Sequence, residues 1–150
     1  MPGIKVLFVC VHNSARSLMA ESCLKRWGGE RFEVSSAGLS PGMVNPLVVE
    51  VMKEWGVDLS QRQGQSVFDL FKAGKLYDYV ISVCDESSAE RCPVFPGITQ
   101  RLHWRFDDPG LFQGSGEERL EDTRRLRDRI ALRIREWVGE LDSSGLIPKE

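Results

Sequence analysis

The apolar run Ile4-Lys5-Val6-Leu7-Phe8-Val9 leads straight into Cys10-Val11-His12-Asn13-Ser14-Ala15-Arg16-Ser17, and a helical pattern follows from Ala15 to Trp27, ended by Gly28-Gly29. A near-continuous apolar run of this length reads as a strand buried on both faces. A strand that passes at once into a helix is the first half of a βα crossover, and such units close as a parallel sheet covered on both sides. The alternation continues. Phe32 to Ser35 is a short second strand, and Asn45-Pro46 caps and starts a helix with Val48, Val51, Met52 and Trp55 on one face, closed by Gly56. Ser66-x-x-Asp69 caps a short helix through Phe71. Asp78 to Val83 is the third strand and Arg101 to Trp104 a short fourth. Glu117 to Leu141 is the longest helix, with Leu126, Ile130, Ile134, Trp137 and Leu141 as its buried stripe. At 150 residues, without repeat or linker, residues 1–150 are expected to form one domain with its own core.

The overall charge is -2, which gives no reason to expect nucleic acid or a membrane as partner. Acidic residues interleave the arginines of the long helix, so that face reads as solvated ion pairs. No apolar stretch approaches the ~20 residues that span a bilayer. The N-terminus lacks a basic region, long apolar run and small-residue cleavage site, so no signal peptide is expected and the cytoplasm is the default compartment. There the four cysteines, Cys10, Cys23, Cys84 and Cys92, read as thiols or metal ligands sooner than as disulfides. His12 and His103 belong to no ligand-spaced pair and no Cys-x-x-Cys occurs, so no metal is expected. A nucleotide-binding G-x-x-x-x-G-K-[ST] pattern is also absent, and no cofactor enters the reading.

The turn from Cys10 to Ser17 carries the chemistry. Backbone N–H groups from Val11, His12, Asn13, Ser14, Ala15, Arg16 and Ser17, a helix start and the Arg16 guanidinium would converge on one point. That point suits a tetrahedral oxyanion above a thiolate. Arg16 can clamp two of its oxygens, Ser17 can hydrogen-bond the Cys10 sulfur, and Asn13 tolerates the left-handed backbone of a tight loop. In a parallel sheet the ends of the first and third strands and the segment after the fourth share one rim. Asp108, oriented by Pro109 in Asp107-Asp108-Pro109, can supply a proton to a departing oxygen there. Cys84 and Cys92, with seven residues between them, have no use in simple hydrolysis. They have one if Cys10 forms an adduct with a reducible oxyanion, because one thiol can attack that sulfur and the other can receive the disulfide. Cys23, among Met19, Leu24 and Trp27, reads as packing.

At these residues the chain resembles the low-molecular-weight phosphotyrosine phosphatase superfamily, and within it the thioredoxin-coupled arsenate reductases. Val6 to Ser17, Met19-Ala20-Glu21, Ser36-Ala37-Gly38, Asn45-Pro46, the strand ending Cys84-Asp85, Cys92-Pro93, His103-Trp104 and Phe106 to Pro109 all match. The resemblance implies an α/β three-layer sandwich with a four-stranded parallel sheet. It implies Cys10 as nucleophile, Arg16 as oxyanion clamp, Asp108 as general acid, Cys84 as resolving thiol and Cys92 as the exit thiol reduced by thioredoxin. Arsenate, with phosphate or sulfate as mimic, would be the ligand, and the protein would be a cytoplasmic monomer. Three departures stand out. Better-known relatives have six residues between the last two cysteines, not seven; some carry a cysteine where Ala15 stands. Some also bind potassium through residues that Asn13, Glu21 and Ser36 match, with an acidic residue where this chain has Gln65.

Reduction of arsenate to arsenite is therefore the first expectation. A protein-tyrosine phosphatase working through phosphocysteine is the alternative, although Gly110-Leu111-Phe112 lacks the aromatic wall expected right after Asp-Pro. A non-catalytic oxyanion- or arsenite-binding module is a third, and it leaves Asp108 without a purpose.

Overall fold

The computed structural model describes residues 3–147, except for the side chains of Glu86 and Ser87. Its sheet consists of β1 (Ile4–Cys10), β2 (Phe32–Gly38), β3 (Tyr79–Ser82) and β4 (Gln100–His103), all parallel, in the order β2-β1-β3-β4. The helices are α1 (Arg16–Gly28), α2 (Pro46–Lys53), α3 (Val67–Lys72), α4 (Glu86–Ala89) and α5 (Gly116–Ser143). The expected four-stranded α/β sandwich is the fold found.

Alternation along β1 divides the core. Val6, Phe8 and Cys10 face α1, α2 and α5, where Leu18, Leu24, Val51, Met52, Leu126, Ile130 and Ile134 are fully buried. Leu7 and Val9 face the other side, against Val67 of α3, Val80, Cys92 and Phe95. Trp137 of α5 fills the larger core, with its ring 5.0 Å from Tyr79, 5.5 Å from Trp104 and 5.8 Å from Phe32.

Several boundaries move. The second strand runs on to Gly38 because Ser36, Ala37 and Gly38 stay in register with Phe8, Val9 and Cys10. The second helix stops at Lys53, and its last turn closes through Gly56, whose φ of 76° suits a residue without Cβ. A capping box between Ser115 and Glu118 starts α5 one residue early. Its polar face carries the expected ion pairs, with one exception. Arg127 is buried, donating to the Val51 carbonyl and Glu54 and lying 4.2 Å over the Trp55 ring.

The sense in which strands are added reverses between β1 and β3, since β1 leads outward to β2 and the chain returns past β1 to β3. Ligands of open parallel sheets sit at the carboxyl ends of the strands beside such a switch. Cys10 ends β1 there, Cys84 lies two residues past β3, and Asp108 follows β4.

Candidate active site

Residues 10–16 form a loop whose carbonyls are bound from outside. Leu39 N–H donates to the Cys10 carbonyl (3.1 Å), Ser40 to Val11 (2.7 Å), Gly42 to His12 (2.9 Å), Asn45 to Ser14 (2.9 Å) and Met19 to Ala15 (3.0 Å). In a trans peptide the N–H points opposite its carbonyl. The amides of Val11, His12, Asn13, Ala15 and Arg16 are therefore turned to the inside of the loop, and Asn13 N–H donates to the Cys10 sulfur at 3.2 Å. Asn13 holds φ at 51°, the left-handed value anticipated for it. Gly38 makes the close approach possible: a Cβ there would stand 2.7 Å from the Asn13 nitrogen and 2.8 Å from the His12 carbonyl carbon. His12 itself pairs outward, Nδ1 lying 2.9 Å from the Ser40 carbonyl.

Arg16 opens α1 and is almost fully buried. It donates to the Phe106 carbonyl at 3.1 Å, and its other terminal nitrogen is 3.8 Å from the half-buried Asp108 carboxylate. This ties the segment after β4 over the loop. Asp108 takes the extended backbone that Pro109 imposes (φ −80°, ψ 115°) and accepts from Gly110 N–H at 2.8 Å. Asp107 points elsewhere, 3.8 Å from Arg129.

Cys84 is fully buried on the same side of the sheet as Cys10. Burial pushes its thiol up to about 11; the neighbouring Cys10 adds to the rise and Arg16 opposes it. Cys92 packs on the opposite face, among Leu7, Val9, Val80 and Phe95, and burial raises its thiol too, with Arg101 pulling the other way. Between them lies α4, one turn long, capped by Asp85, which accepts from Ser88 N–H at 2.8 Å. The structure thus gathers Cys10, Arg16, Asp108 and Cys84 on one rim and sets Cys92 across the sheet. Cys23, buried in α1, is pushed up to about 12 by burial, with Arg127 and Arg26 opposing.

These thiols make a prediction about alkaline stability. A thiol with raised folded pKa leaves stability intact below the unfolded value near 9 and erodes it as pH climbs toward the folded value. Within that window each costs about 1.4 kcal/mol per pH unit. The urea midpoint should fall steeply from pH 9 to 10.5, less so in Cys23→Val; an unchanged midpoint would contradict the burial of these groups.

A family model described as low molecular weight phosphotyrosine protein phosphatase matches residues 5–145. The chain belongs to this family. The curated arsenate reductase of Halalkalibacterium halodurans is 39% identical over 135 residues, which cover 89% of this chain and 94% of that protein. A solved arsenate reductase in the oxidised state superposes with a TM-score of 0.75 at 28% identity, over 94% of this chain and 99% of that one. The thioredoxin-dependent arsenate reductase of Corynebacterium glutamicum aligns with a TM-score of 0.68 at 32% identity, over 95% of this chain and 64% of its own.

In this low molecular weight phosphatase family member the loop is backed by a polar network joining Asn13, Glu21, Ser36 and Gln65, which the resemblance had grouped, to Arg62, which it had not. Asn13 Nδ2 donates to Ser17 Oγ and Ser36 Oγ, each at 2.9 Å, while its Oδ1 accepts from Gln65 N–H at 3.1 Å. Ser36 Oγ donates to Glu21 Oε1 at 2.7 Å. Arg62 meets both Glu21 oxygens, at 2.6 and 2.8 Å, and reaches Ser36 Oγ at 3.4 Å; Lys25 adds a contact of 2.8 Å. Burial alone would raise Glu21; hydrogen bonds from Arg62, Lys25 and Ser36 outweigh it and hold the carboxyl below its ordinary range. The potassium site of some relatives does not fit here. Glu21 and Ser36 are already engaged by a guanidinium, and Gln65 spends its amide on the Ser36 carbonyl at 2.8 Å. A sequence signal for a cationic partner such as Arg62 was Glu21, a carboxylate one turn after Ser17 on a helix face that is otherwise buried.

Proposed function

We propose that this chain reduces arsenate to arsenite through a thiol relay regenerated by thioredoxin, as a cytoplasmic enzyme whose residues 1–150 act as one domain. The observation that carries the reading is the second thiol, Cys84, buried on the Cys10 side of the sheet and just past the end of the neighbouring strand β3. The relatives named arsenate reductase, one of them thioredoxin-dependent, support it.

The Cys10 sulfur attacks arsenic, with the inward amides and Arg16 holding the oxygens. Asp108 gives its proton to the departing hydroxyl, which leaves as water, and an S–As bond remains. Cys84, losing its proton, then attacks the Cys10 sulfur. The electron pair of the S–As bond passes to arsenic, so arsenic(V) leaves as arsenite and a Cys10–Cys84 disulfide forms. Cys92 attacks Cys84, frees the Cys10 thiolate and leaves a Cys84–Cys92 disulfide for the thioredoxin dithiol. That last transfer crosses the sheet, so α4 must unwind. Its single turn makes that inexpensive, since so short a helix has little stability of its own.

A thioredoxin-coupled assay of NADPH consumption tests the reading: oxidation strictly dependent on arsenate is expected. Fast hydrolysis of phosphotyrosyl peptides with no such oxidation would move the assignment to the family's hydrolytic chemistry, which uses Cys10, Arg16 and Asp108 but gives Cys84 and Cys92 no work.

A further inference from the structure

We infer that Arg62 is a positioning residue for Cys10, an internal cation that keeps Glu21 charged and so anchors a hydrogen-bond chain ending on the nucleophilic sulfur. The inference rests on the proposed role of Cys10.

The direction of that chain follows from what each group can donate. An ionised carboxylate only accepts, so Ser36 must give its proton to Glu21. Ser36 Oγ then accepts from Asn13, whose amide cannot be flipped because its Oδ1 faces the Gln65 backbone N–H, an unambiguous donor. The second hydrogen of Asn13 Nδ2 goes to Ser17 Oγ, and this leaves the Ser17 proton for the Cys10 sulfur at 2.9 Å. A hydroxyl donating to sulfur favours the thiolate and stabilises it again when it is released from a disulfide. Were Glu21 neutral, the Ser36 hydroxyl would lose its fixed acceptor, and Asn13, still oriented by the Gln65 N–H, would be held less firmly against Ser17. Glu21 is almost fully buried, and a buried carboxylate stays charged only when paired. Lys25 alone is a weak anchor, since its side chain is 57% exposed. Arg62, with two contacts to the carboxylate and a third to Ser36, is the stronger partner.

The test compares wild type, Arg62→Ala and Arg62→Lys in three measurements: iodoacetamide alkylation of Cys10 at pH 7 followed by peptide mass, phosphate binding by calorimetry, and arsenate turnover. Arg62→Ala should alkylate Cys10 about tenfold more slowly, because the Ser17 hydroxyl is then held less firmly on the sulfur. Its kcat should fall by a similar factor while phosphate Kd and arsenate KM stay within threefold. Guanidinium ion at sub-denaturing concentration should restore most of the loss, and Arg62→Lys should retain part of it. Equal alkylation rates, or kcat and phosphate affinity falling together without guanidinium rescue, would overturn the inference, since that pattern is loss of the fold around the loop. Wild type provides an arm that needs no variant to fold. Exchanging potassium for tetramethylammonium should leave its alkylation rate and turnover unchanged, and a dependence greater than threefold would also overturn the inference. If wild type fails to turn over arsenate, the functional reading fails; the alkylation and phosphate data still decide the role of Arg62.

Discussion

Cys84→Ser should lose catalytic arsenate reduction, by at least about a thousandfold with thioredoxin present, while keeping slow hydrolysis of a small aryl phosphate. The contrast arises from which bonds each reaction needs. Hydrolysis uses the loop amides, Arg16 and Asp108 and needs no second sulfur, whereas reduction needs one to take the Cys10 sulfur away from arsenic. Serine keeps the shape of cysteine but cannot form the disulfide. Its hydroxyl in a fully buried site would cost about 1–3 kcal/mol, so Cys84→Ala serves as a control for stability. The pH dependence of the wild type adds a check. With the Cys84 thiol near 11, the thiolate fraction at neutral pH is small, and the resolving step should accelerate as pH rises above 7, until unfolding intervenes. A Cys84→Ser enzyme that still cycled arsenate through thioredoxin would remove Cys84 from the pathway.

Arg16→Lys should depress both reactions together, by about a hundred- to a thousandfold, the cost of losing a main oxyanion donor. A lysine keeps the charge but not the planar fork that meets two oxygens at once. It also forfeits a structural duty, because the guanidinium spans from the loop to the Phe106 carbonyl and the Asp108 carboxylate. Asp108 would then keep the Gly110 N–H and the turn at Pro109 but lose its tie to the loop. Loss of aryl phosphate hydrolysis in Arg16→Lys, set beside its survival in Cys84→Ser, separates the oxyanion cradle from the relay. If Arg16→Lys retained full activity toward both substrates, the cradle assigned to the loop would be wrong.

The fold was legible because its signals are local and repeated. The buried run of β1, the Asn45-Pro46 and Ser66 caps and the stripe of α5 each specify an element by themselves. Asn13 in a left-handed conformation and the Cys10–Ser17 contact were also readable, since both lie within one eight-residue loop. Strand ends were harder: Ser36-Ala37-Gly38 lacks strand propensity, and only its pairing with Phe8–Cys10 keeps it extended. The resemblance grouped Asn13, Glu21, Ser36 and Gln65, but the place of Arg62 among them was beyond reach for a different reason. The network joins residues 41 and 15 positions apart whose polarity looks like ordinary surface chemistry until the sheet packs Glu21 out of water. The same limit applies to Cys92, whose spacing from Cys84 says nothing about which face of the sheet it occupies.

The relay itself is most directly tested by exposing reduced protein to arsenate without any reductant, trapping free thiols after one turnover, and mapping the peptides. The account predicts one arsenite per protein, a disulfide joining Cys84 to Cys92, and alkylated Cys10 and Cys23. Three relay thiols all still free after arsenite has formed, or a bridge to Cys23, would contradict it.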